Sequence, residues 1–113
     1  MSRRKPATAD LRRTTPVFAA LADETRLALL TKIGTEPRCS ISRLTVGSKL
    51  TRQAITKHLR VLEEAGLVRG VKAGRENLFE LERKRLDDAR RALDQISKQW
   101  DQALGRLKAF VEE

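Results

Sequence analysis

Arg52, Gln53, Thr56, Lys57 and Arg60 lie within a nine-residue span. Guanidinium and amide forks match the hydrogen-bonding edges of guanine and adenine. Ammonium and guanidinium groups also match phosphate. At about 100° per residue these side chains share one helical arc, opposite Ile55, Leu59 and Leu62. Ala54, His58, Val61 and Ala65 flank the apolar side. Glu63 and Glu64 share the polar arc, but only at its C-terminal end. A helix macrodipole favours acids first and bases last, so this order opposes the helix's own stability. It suits an anionic partner met by the N-terminal half. The competing view is a solvated charged face. His58, the single histidine, sits at the edge of the apolar side, where packing and orientation of the helix are the expected role.

The elements that must hold this arc are legible around it. Thr51 is a cap for its helix and Gly66 the stop. Upstream, Ser40 caps a short helix that turns Ile41 and Leu44 inward and ends near Gly47. Glu36-Pro37-Arg38 is a turn. Asp23 caps an earlier helix with Leu27, Leu30 and Ile33 at helical spacing and Gly34 as its end. Thr15-Pro16 predicts the start of a first helix through Phe18 and Leu21. Residues 1–14 predict a basic, flexible arm, able to screen phosphates or enter a minor groove. After Gly66 the period changes to two short strands around Lys72-Ala73-Gly74-Arg75, with Phe79 and Leu81 on one face. A last helix runs from about Arg83 to Val111.

The chain has 113 residues, 40% of them apolar, which suits one small domain. The net charge is +9. Residues 1–14 carry +4, residues 15–40 none, residues 41–75 +6 and residues 76–113 −1. Focused positive charge points to a polyanion, nucleic acid above all. One cysteine, Cys39, excludes an intramolecular disulfide and a multi-cysteine zinc site. No apolar run follows the basic start, and none approaches membrane-spanning length. The expected location is therefore cytoplasmic, associated with the nucleoid. With one His, one Cys and no phosphate-cradling glycine loop, an enzyme is not expected. No cofactor and no metal are expected either.

VFAALADETRLALL, SISRL, TRQAITKHLRVLEEAGLV and the GREN hairpin resemble the ArsR family of winged helix-turn-helix transcriptional regulators. The match covers residues 16–82. It implies a mainly α fold with a small β-hairpin, in the order of four helices, two strands and a fifth helix. It also implies that the helix after Thr51 enters the major groove of double-stranded DNA. The candidate contacts are Ser40, Thr51, Arg52, Gln53, Thr56, Lys57 and Arg60, with Lys72 and Arg75 on the hairpin. Residues 15–82 are then the DNA-binding domain and residues 83–113 a dimerisation helix.

That last helix carries Leu86, Ala89, Leu93, Ile96, Trp100, Ala103, Leu107 and Phe110 at alternating spacings of three and four, with Leu104 widening the stripe. Its length, roughly 43 Å, exceeds what a small core needs. A homodimer is expected, with Phe18 joining the contact. An intramolecular lid over the first helices is the alternative. Many family members that sense metal use a Cys-x-Cys pair, and the corresponding positions here are Ser40 and Ser42; others build a zinc site with histidines on the terminal helix, which has none here, so the resemblance does not extend to these metal sites. The function expected is a sequence-specific dimeric repressor whose effector is unknown. The alternatives are a thiol sensor acting through Cys39, its thiolate favoured by Arg38, and a nonspecific nucleoid-type protein.

Overall fold

The computed structural model describes residues 8–112. Its elements run α1 (Thr8–Leu21), α2 (Glu24–Ile33), β1 (Cys39–Ser40), α3 (Ile41–Thr45), α4 (Arg52–Glu64), β2 (Val68–Ala73), β3 (Glu76–Leu81) and α5 (Arg83–Glu112). The strands form one antiparallel sheet in the order β1-β3-β2. The winged helix-turn-helix architecture is as expected from the sequence.

Most caps are those the sequence predicts. Asp23, Ser40 and Thr51 each accept a hydrogen bond from the backbone N–H three residues on. Each satisfies a donor that the first helical turn leaves open. The buried face of α4, Ile55, Leu59 and Leu62, meets Val17, Leu29, Ile33, Leu44 and Leu67 in one core. Aliphatic side chains at helical spacing make up most of that core, and removing them from water is the main source of stability.

Three features differ from the expectation. Helix α1 begins at Thr8 rather than Thr15, so residues 8–14 belong to a helix and not to the arm. Residues 1–7 of that arm lie outside the described residues. Pro16 sits inside α1 and removes one backbone bond. Nearby, the hydroxyls of Thr14 and Thr15 donate to the Leu11 carbonyl at 2.8 and 3.0 Å. Burial of Thr14, Val17 and Ala20, with α1 packed along α5, outweighs the proline's local preference.

The second difference is β1. Cys39 pairs with Phe79 and Ser40 with Leu78, so the wing belongs to a three-stranded sheet and is not an isolated hairpin. Two residues are too short to show a period. The inner edge of β3 recruits them. The turn of the wing is also tighter than the four residues expected. Lys72 and Ala73 belong to β2, leaving Gly74 and Arg75 as the connection. Gly74 has φ +63 and Arg75 does not have a positive φ, the sign pattern of a type II′ hairpin turn.

The third concerns α5. Ala89 and Ala92 are buried, and Phe18 and Leu86 pack against the core of the same chain. Phe18, Leu86 and Ala89 were expected at the subunit contact. Heptad spacing reports an apolar stripe, not its partner, and α1 covers the first part of the stripe. Beyond Ala92 the helix leaves the core. The radius of gyration is 18.6 Å, against about 13 Å for a compact chain of this length.

Helix α4 ends in a Schellman motif. The N–H of Gly66 bonds the Glu63 carbonyl at 3.0 Å, and that of Leu67 bonds the Leu62 carbonyl at 2.9 Å. Gly66 has φ +80, and a Cβ there would stand 2.7 Å from Cγ of Arg85. Gly66→Ala is therefore expected to destabilise the fold by about 1–2 kcal/mol from backbone strain alone, and more if Arg85 does not yield. Urea denaturation checks this: the midpoint falls and the slope stays unchanged.

Candidate nucleic-acid interface

Helix α4 is anchored on one side only. Ile55, Leu59 and Leu62 are fully buried, and Thr51 Oγ1 accepts from the Ala54 N–H at 3.1 Å. This anchoring leaves Arg52, Gln53, Lys57 and Arg60 exposed on the outer arc. Thr56 is half-buried and donates its hydroxyl to the Arg52 carbonyl at 2.8 Å. Its proton is thus used locally, and its oxygen is left only as an acceptor. Arg52 does not project freely: its Nη1 donates to Ser42 Oγ on α3 at 3.4 Å. Val61, placed beside the apolar face by the sequence, is exposed.

Ser40 and Thr51 are committed as caps. Ser40 Oγ accepts from the Arg43 N–H at 3.1 Å, and its backbone pairs with β3. Ser40 therefore holds α3 in place, apart from any role toward a ligand. Lys72 and Arg75 are exposed on the wing. The wing's base is tied to α4 through Glu63, whose Oε2 accepts from the Gly70 N–H at 3.4 Å. Glu63 thus positions the wing relative to the helix.

Ion pairing sorts the basic residues of the middle segment. Arg43 is held by Glu36, with Nε 2.9 Å from Oε2. Arg69 pairs with Glu80, which also accepts from Arg38 Nε at 3.2 Å. Of the basic residues between 41 and 75, Lys49, Arg52, Lys57, Arg60, Lys72 and Arg75 have no acidic partner among the described residues. These unpaired cations lie on α4, on the turn before it and on the wing. Lys49 is the one not among the contacts expected from the sequence. It is exposed in the turn between α3 and α4, where Ser48 Oγ accepts from the Leu50 N–H at 3.0 Å. Positive charge adjacent to a capped helix start was the available signal.

Cys39 lies at a cleft of about 370 Å³ lined by Lys32, Thr35, Glu36, Arg43 and Val46. It is buried, and burial raises its thiol pKa; the charge of Glu36 adds to the rise, while Arg43 and Lys32 oppose it. Arg38, expected to favour the thiolate, faces Glu80 instead. Burial and the raised thiol pKa both oppose the thiolate that a thiol sensor needs. No helix among the described residues is long and apolar enough to cross a membrane.

A family model described as a helix-turn-helix domain matches residues 21–71. An uncharacterized HTH-type transcriptional regulator of Bacillus subtilis (strain 168), YuzN, is 38% identical over 65 residues, 52% of this chain and 71% of the relative. The structure of an ArsR-like transcriptional regulator from Rhodococcus sp. RHA1 is 38% identical, with a TM-score of 0.79, over 91% of this chain and 96% of that one. The same fold occurs in a homodimeric winged helix-turn-helix DNA-binding domain from Mycobacterium bovis. That domain is 22% identical, with a TM-score of 0.64, over 88% of this chain and 91% of that one.

The Glu80 pair fixes a pH dependence. The Arg69 hydrogen bond, then that of Arg38, holds the Glu80 carboxyl below its ordinary value of 4.5. A lowered folded value means the pair stabilises above the unfolded value and loses that contribution as pH falls through the folded one. The stability difference between the wild type and Glu80→Gln is expected to be constant above pH 4.5 and to shrink below it. Chemical denaturation at a series of pH values reads it directly.

Proposed function

The chain belongs to the ArsR family of winged helix-turn-helix transcriptional regulators, and we propose that it is a sequence-specific dimeric repressor that blocks a promoter by occupying it. It is a DNA-binding regulator by family. The observation that carries the finer reading is the exposed arc of α4: basic and amide side chains, base-first, free of acidic partners and carried on the buried face behind it. Gln53 and Thr56 meet base edges, Lys57 a phosphate or a base, and Arg52, Arg60, Lys72 and Arg75 phosphates. Lys49 joins the phosphate contacts. Ser40 and Thr51 act by capping the helices that carry them. Residues 15–82, with α1 extended to Thr8, are the reading domain, and residues 83–113 are the dimerisation helix.

The dimer rests on the free end of α5. Leu93, Ile96, Trp100, Leu104, Leu107 and Phe110 are exposed, Trp100 to 64% and Phe110 to 77%. A continuous apolar stripe of this kind marks a contact surface. The Mycobacterium bovis domain of the same fold is homodimeric. A two-fold dimer presents two copies of α4 to successive major grooves about 34 Å apart. The repressor does not respond to metal: Ser40 and Ser42 stand at the metal-binding positions, and the single Cys39 is buried. It works in the cytoplasm, on the nucleoid.

About four phosphates per subunit give about eight per dimer, so the log–log dependence of affinity on salt has an expected slope near −7. A flat response in a DNA titration overturns the reading. Gln53→Ala is expected to cost about 1–3 kcal/mol on the preferred site and to relax its sequence preference. Arg60→Ala weakens binding to all duplexes alike and reduces the slope by about 1. Trp100→Glu places a charge in the stripe; sedimentation should then show a monomer, with operator binding lost at concentrations where the wild type is saturated.

A further inference from the structure

Arg26, near the start of α2, joins three helices through one side chain. Its backbone N–H is taken by Asp23 Oδ2 at 3.0 Å. Its Nε donates to the Ala20 carbonyl at 2.7 Å, and its Nη2 to the Ala19 carbonyl at 3.4 Å, both in the last turn of α1. Its Nη1 lies 3.4 Å from Nδ1 of His58 on α4. A guanidinium can only donate, so the imidazole nitrogen is the acceptor. His58 stands between Lys57 and Arg60, at the edge of the face that α4 buries.

Hydrophobic contact is non-directional. The seat of Ile55, Leu59 and Leu62 therefore sets how deeply α4 lies, but only weakly how it is inclined. A rigid fork with acceptors on two helices adds the missing direction. Helix α1 also packs along α5, the helix that carries the apolar stripe. One guanidinium thus connects the layer that sets subunit geometry to the helix that carries the basic arc.

We propose that Arg26 and His58 are specificity-determining, positioning residues: together they fix the inclination of α4 relative to the subunit axis, and so the half-site spacing that the dimer accepts. This rests on the dimeric, operator-reading function proposed above. A dimer reads two half-sites at one separation only if both reading helices are held at a defined angle. Loosening that angle leaves each half-site contact intact but lets the pair accommodate wrong separations.

The test begins with an operator selected by the full-length wild type from random duplex DNA. The quantity measured is the ratio of affinity for that operator to affinity for the same operator with one base pair added to or removed from the spacer. Arg26→Ala and His58→Leu are expected to lower that ratio by about 2- to 30-fold, the range over which residues along such networks modulate coupling. His58→Asn, whose Oδ1 takes the place of Nδ1, is expected to retain it. Lys57→Ala should weaken both duplexes equally and leave the ratio unchanged. Helicity and thermal midpoint are followed for each variant. If Arg26→Ala does not fold, His58→Leu decides, because it leaves the bonds to α1 in place. A wild-type ratio preserved in the folded variants overturns the proposal and leaves the operator-reading function standing. A ratio lost equally in His58→Asn overturns it too, since the acceptor would then be irrelevant. A wild type that selects no operator removes the function proposed above, and this inference with it.

Discussion

Everything on the outer surface of α4 depends on the burial of three aliphatic side chains behind it. Ile55, Leu59 and Leu62 are at or below 1% exposure, and they hold the helix to the core without help from its outer arc. That arc is free to carry charge in an order unfavourable to its own dipole. Stability comes from one face and the proposed recognition from the other, and neither constrains the residue types of its opposite. The Thr51 cap and the Gly66 turn define the two ends of this division.

A second division separates bases paired with acids from bases that are not. Arg38, Arg43 and Arg69 are held by Glu36 and Glu80, whereas the cations of α4, its preceding turn and the wing face no acid. Exposed ion pairs contribute little stability each. Their effect here is partly electrostatic sorting: positive charge is cancelled at Arg38, Arg43 and Arg69 and left intact on α4, on the turn before it and at the wing tip.

The elements legible in the sequence were those with strong local signals. Helices with hydroxyl or carboxylate caps and a periodic apolar face were found, as was the glycine that ends α4. What escaped lay in contacts between distant segments. The strand at Cys39–Ser40 exists only because β3 lies beside it. The extension of α1 back through Thr14 needs α5 as a packing surface. Phe18, Leu86 and Ala89 show why a heptad stripe is ambiguous: spacing identifies an apolar face, but only the fold shows that α1 already occupies part of it. Among site residues, the exposed arc was legible from helical angle alone. The engagement of Thr56 with a backbone carbonyl, of Arg52 with Ser42 and of Arg38 with Glu80 was not, because each depends on which rotamer the surroundings favour.

The stripe on α5 has one consequence of a different kind. Trp100 is the only tryptophan of the chain, there is no tyrosine, and its indole stands in solvent midway along the projecting helix. Near-ultraviolet emission of this protein therefore reports on a single location, and that location is the stripe itself. Any molecule that covers the stripe moves the indole from water into an apolar surrounding and shifts its emission to shorter wavelength. The protein thus carries an intrinsic optical probe of whether the stripe is covered, readable without a label.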